Sequence, residues 1–149
     1  MIKNKNLRII IFIILLLLIV SAAIWRSFEN TRTRMLGDEC HTEQWQSIAL
    51  VERYSWPGMG GTALTQVGYS VDELREQVSH ITVKKGKKTN QMPIPSIQVY
   101  IQGIDSSLFV LDVGENGQII FTEFAGNDEK RTYWAAESSA LYDVLKQGL

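Results

Sequence analysis

From Ile9 to Val20 every residue is apolar, and the run continues through Ser21, Ala22, Ala23, Ile24 and Trp25. The remaining chain is too short to wrap such a segment on all sides, so lipid is its expected surrounding. Between Arg8 and Arg26 it spans roughly 25 Å as a helix, near the lower limit for a bilayer core. The flanking arginines can extend their stems toward headgroups, and Trp25 sits where an interfacial aromatic belongs. No Gly or Pro interrupts it. The expected organisation is a short cytoplasmic tail over 1–8, a transmembrane anchor over 9–25, a polar stalk over 26–43, and a folded domain over 44–149.

A cleaved signal peptide is the rival reading. Lys3, Lys5 and Arg8 would form its charged start, and Ser21-Ala22-Ala23 would place cleavage near Ala23. The apolar run exceeds the usual length of such a segment, which favours an uncleaved anchor. Basic residues flank both sides, with Arg26, Arg32 and Arg34 following the run. A short tail is easily kept inside, so the domain is expected outside the cytoplasm, at the plasma membrane.

Charge divides along the chain. Residues 1–34 hold six Lys/Arg against one Glu, about +5, whereas residues 35–149 hold nine Lys/Arg against fifteen Asp/Glu, about −6. An acidic domain does not suit nucleic acid, where affinity rests on neutralising phosphates. The single cysteine, Cys40, excludes an internal disulfide.

The domain reads as α+β: an antiparallel sheet of about four to six strands packed by one or two helices. A strand near 47–55, a Pro57-Gly58-Met59-Gly60-Gly61 turn and a return over 62–67 suggest a hairpin. Ser70-Val71-Asp72-Glu73 reads as a capping box, followed by Val71, Leu74, Val78 and Ile81 on one helical face. Ile97, Val99 and Ile101 alternate with polar partners, as in a half-buried strand. Strands over 108–113 and 118–124 flank Asn116-Gly117, a strong hairpin signal. A short strand over 131–134 and a helix capped by Ser138 or Ser139 complete the pattern.

Sites are sparse. Asp38, Glu39, Cys40 and His41 are adjacent in sequence and lack the spacing of metal ligands, so no metal site is expected there. Cys40 has no pocket to lower its thiol pKa, and no Gly-x-Ser-x-Gly elbow occurs. Asp112, Glu115 and Glu123 are read as solvated decoration of a hairpin. Trp45, Trp56 and Trp134 are read as core or core rim, although an exposed one could anchor a partner. No catalytic residue, metal or cofactor is assigned. Lys84, Lys85, Lys87 and Lys88 are candidate contacts for an anionic surface.

The stretch Leu108–Phe121, with Tyr133-Trp134 and the Leu141–Leu145 pattern, resembles small membrane-anchored or lipid-anchored outer domains of Gram-positive bacteria. The resemblance covers roughly residues 45–149 and implies an extracytoplasmic α+β fold with no known catalytic residues. The expected function is a non-catalytic binding or accessory domain on a single-pass anchor. Its expected partners are the bilayer through residues 9–25 and a membrane protein or envelope polymer. An anchored or secreted enzyme and an assembly subunit of an envelope complex are the alternatives.

Overall fold

The computed structural model describes residues 2–64, 67–91 and 93–149. The chain divides between Arg32 and Thr33 into two compact units.

The first unit is one helix, α1 (Ile2–Thr31). Its Asn6–Thr31 portion reaches a mean hydropathy of 3.1 in its most apolar window, long and apolar enough to cross a membrane. The helix ends on local bonds. Thr31 Oγ1 donates to the Ser27 and Phe28 carbonyls at 3.1 Å, and the Arg32 amide donates to the Phe28 carbonyl at 2.9 Å. The first part of the expected stalk is thus a continuation of the apolar helix.

The second unit is an α+β fold. In chain order its elements are β1 (Arg34–Met35), α2 (Leu36–Glu39), β2 (Trp45–Tyr54), β3 (Thr62–Leu64), α3 (Val71–Ser79), β4 (Thr82–Lys85), β5 (Ser96–Gly103), β6 (Leu108–Gly114), β7 (Gln118–Ala125), β8 (Asp128–Ala136) and α4 (Ala140–Gln147). The strands form one antiparallel sheet in the order β1-β4-β8-β7-β6-β5-β2-β3. Eight strands exceed the four to six expected. The additions are β1, which lies in the expected stalk, and β4, whose Thr-Val-Lys-Lys sequence is too short and basic to read as a strand.

Alternation along the strands sends one set of side chains to each face of the sheet. Ile97, Val99, Ile101, Phe109, Leu111, Val113, Ile119 and Phe121 form the core with Leu74 and Val78 of α3 and Leu141, Tyr142 and Leu145 of α4. Phe109 and Phe121 stack with centroids 5.7 Å apart. The capping box forms as the sequence predicts. Ser70 Oγ accepts from the Glu73 amide at 3.2 Å, and Glu73 Oε2 accepts from the Ser70 amide at 2.6 Å. The Asn116-Gly117 turn also forms, with Gly117 at φ 81°, where glycine carries no steric penalty.

The later part of the expected stalk belongs to the domain. Leu36 and Cys40 are both 0% exposed within the core. Trp45 Nε1 donates to the Cys40 carbonyl at 3.1 Å. Arg75 of α3 ties the same segment down, donating to the carbonyls of Thr42 at 2.9 Å and Trp45 at 2.6 Å. The polar composition of this stretch hid two apolar side chains that tertiary packing buries. Trp45 and Trp134 are buried as expected, but Trp56 is 68% exposed at the β2–β3 hairpin.

Candidate functional site

The sheet face opposite the core carries a cleft of about 380 Å³. Register explains its make-up. Antiparallel pairing sets Glu52, Gln98, Asp112, Ile120 and Tyr133 side by side across β2, β5, β6, β7 and β8. The next row is Leu50, Tyr100, Val110, Thr122 and Arg131. The cleft is lined by the middle of both rows, with Leu108 and Phe124 beyond them and Thr89, Asn90 and Gln91 along one side. Those three residues belong to the connection from β4 to β5, which must pass three intervening strands. Its far end is pinned where the Glu115 amide donates to the Pro95 carbonyl at 3.0 Å.

A hydrogen-bonded chain crosses the first row. Tyr54 Oη donates to Glu52 Oε2 at 2.8 Å. Tyr100 Oη lies 3.1 Å from the same carboxylate oxygen and 3.0 Å from Gln98 Oε1, so its one proton is shared between them. Gln98 Nε2 donates to Asp112 Oδ2 at 3.1 Å. Burial, aided by the Glu52 hydrogen bonds, pushes Tyr54 up to about 12 and raises Tyr100.

Asp112 is the correction that matters most. Expected in solvent, it is 5% exposed. Burial disfavours its charged form and lifts its pKa to about 6, against opposing help from Gln98, Ser96 and Arg131. Among the described residues its Oδ1 has no hydrogen-bond partner, and neither has the Ser96 hydroxyl. The Ser96 hydroxyl lies beside the carboxylate and helps to hold its anion, short of full hydrogen-bond geometry. Glu115 is exposed and Glu123 half-buried, and neither lines the cleft. The residue pattern held a signal for Asp112: an acid inside Leu-Phe-Val-Leu-Asp-Val. Uninterrupted apolar runs mark strands covered on both faces.

Arg131 lines the cleft from β8 and pairs with Glu129 at 2.5 Å. The four lysines lie near this wall. Lys84 and Lys85 stand on β4, Lys87 and Lys88 follow it, and all four are exposed. They form no free loop. The Gly86 amide donates to the Tyr133 carbonyl at 2.8 Å, holding the segment to β8. Lys84 Nζ lies 3.7 Å from Glu137. Lys85 and Lys88 share a shallow groove with Arg131, Tyr133 and Trp134.

Among the described residues no three His, Cys, Asp or Glu side chains gather as metal ligands. Asp38–His41 do not converge. Cys40 is buried in the core, and burial first, with Glu39 second, holds its thiol well above the ordinary value. His41 stands at φ 49° in the turn that follows. Comparison with known proteins gives no relative: no family model, no curated protein and no solved structure matches this chain.

Proposed function

We propose that this protein is a single-pass membrane protein whose non-catalytic domain, outside the cytoplasm, binds a ligand in the cleft centred on Asp112. The observation that carries this reading is the buried, incompletely bonded carboxylate lining a cavity of small-molecule size. Leaving a buried acceptor unsatisfied costs about 1–3 kcal/mol. Functional sites are where such costs recur. The apolar α1 supports the anchor, and Lys3, Lys5 and Arg8 ahead of the apolar run support retention of the short tail inside, against the opposing pull of Arg26, Arg32 and Arg34 on the domain side. The exposed lysines at 84, 85, 87 and 88 provide a second contact, with anionic headgroups or an envelope polymer.

One observation favours an enzyme as the second reading. A carboxyl group near pKa 6 is poised for acid–base work at neutral pH. The hydrogen bonds that tie Glu52 to two tyrosines support a holding role for the row instead.

The decisive experiment is labelling of intact cells. Cys40 is buried, so a reporter thiol is placed at Met59→Cys on the exposed hairpin. A membrane-impermeant maleimide should label it without lysis, on a chain whose mass retains the anchor. Labelling only after lysis overturns the outside placement, and a mass lacking residues up to about Ala23 replaces the anchor with a cleaved signal. For the cleft, the methyl signals of Val110 and Ile120 should shift with a purified envelope component. Constancy across small molecules and polymers from the envelope rejects the binding reading.

A further inference from the structure

We propose that the cleft seats a small amphipathic monoamine, its ammonium held by Asp112 and its apolar body lying on Val110, Ile120 and Phe124. This rests on reading the cleft as the binding site, and it names the ligand's chemistry.

Counting protons leads to the ammonium. Along the row, Tyr54 brings one donor to Glu52, Tyr100 brings one to share, and Gln98 gives an amide hydrogen to Asp112. The acceptors facing these donors are two carboxylates and an amide oxygen. The row is therefore rich in acceptors, and the Ser96 hydroxyl beside Asp112 completes no bond to it. The unmet acceptor is Asp112 Oδ1, which has no partner among the described residues although the side chain is 95% buried. A ligand that completes this carboxylate must donate. An anionic group meets like charge at Asp112 and, where it carries no hydrogen, has nothing to donate. A hydroxyl brings a proton without charge, whereas an ammonium brings both, and charge-assisted hydrogen bonds are roughly twice as strong as neutral ones.

The rest of the cleft limits the body of the ligand. Val110, Ile120 and Phe124 offer an apolar bed to a hydrocarbon portion. Arg131 on the β8 side opposes a second positive charge, so a monoamine fits where a polyamine does not. The cavity of about 380 Å³ is at the small end of ligand sites, which span roughly 300–1,000 Å³.

The test uses the full chain in lipid nanodiscs and two probes with the same body, phenethylamine and 2-phenylethanol. Occupancy is read from the methyl shifts of Val110 and Ile120. Phenethylamine should bind about tenfold or more tightly than the alcohol, and Asp112→Asn should bring the two together. Spermidine should compete no better than phenethylamine, a comparison that needs no variant. Alcohol binding as tight as amine binding, with both shifting the methyls, overturns the ammonium and leaves the cleft in place. An amine advantage that survives in a folded Asp112→Asn chain overturns the assignment to Asp112. Tighter spermidine binding overturns the limit to one charge. If neither probe moves the methyls, the monoamine inference falls, while the cleft reading falls only if the envelope components also leave them unmoved.

Discussion

Gln98 reaches across one strand pairing to donate its amide to Asp112 Oδ2 at 3.1 Å, while Oδ1 of the same carboxylate has no partner among the described residues. Half-satisfaction of a buried acid leaves a thermodynamic trace. The ordinary value for Asp112 is 3.8 and its folded value is about 6. Between these values the folded chain keeps a proton that the unfolded chain has released. Stability from this group is therefore greatest below pH 3.8 and declines as pH rises through 6, the reverse of a salt-bridged aspartate. The full difference is on the order of 3 kcal/mol at about 1.4 kcal/mol per pH unit. Asp112→Asn should gain stability on the parent at pH 7, and the gain should vanish near pH 4. Urea midpoints of both chains across this range measure it. A pH-independent difference would falsify the assignment of the shift to Asp112.

The pieces legible in the sequence are those set by local chemistry. Ser70 and Glu73 are three residues apart and cap each other whatever surrounds them. Asn116-Gly117 sets a tight turn, and alternation at Ile97, Val99 and Ile101 sets the buried face of β5. What escaped reading depends on partners distant in sequence. Val83 is buried only because β4 lies between β1 and β8. Asp112 is enclosed only because the β4–β5 connection brings Thr89–Gln91 to that side of the sheet. Leu36 and Cys40 belong to too short a stretch to show periodicity, and Arg75 secures the segment that follows from a helix 30 residues further on.

That segment yields a boundary prediction. Leu36 is fully buried, so Leu36→Ala should cost about 2–5 kcal/mol. A chain beginning at residue 44 should lose its cooperative transition, whereas one beginning at residue 33 should keep it. Thermal melts of the two truncations, followed by far-ultraviolet circular dichroism, separate a folded 33–43 segment from a stalk. Equal melting of both would restore the stalk.

Cys40 provides a probe of the same region. Its buried thiol, with a raised pKa, should resist a maleimide or an aromatic disulfide in the native chain and react within minutes once unfolded. Rapid native reaction, at a rate like that of a free thiol in water, would place the residue outside the core. The comparison is made at one pH with and without denaturant.

The basic wall is open to a charge test. Replacing Lys84, Lys85, Lys87 and Lys88 with Gln leaves the β4 backbone pairing intact, because exposed side chains carry the charge. Each lysine near an anionic surface contributes about 1 kcal/mol at low salt, so the quadruple variant should lose at least tenfold in affinity for an anionic polymer. The measurement is made on nanodisc-held protein, and the parent's affinity should itself fall with added salt. Unchanged affinity in the variant rejects the wall as the contact.

Gly86 links the basic wall to the sheet. A Cβ there would lie 2.8 Å from the Trp134 amide nitrogen and 2.9 Å from its carbonyl carbon. Both are backbone atoms of a paired strand, so neither can move aside as a flexible side chain would. Gly86→Ala should cost about 1–3 kcal/mol through overpacking. It should also weaken the Gly86 amide bond to the Tyr133 carbonyl, now 2.8 Å. Amide hydrogen exchange at Gly86 reads the bond, and the thermal midpoint reads the cost. The lysines at 87 and 88 then lose their fixed position beside Arg131, so polymer affinity should fall although no charge has been removed. A variant with normal stability and protected exchange would show that the segment has room that the Gly86–Trp134 contact denies it.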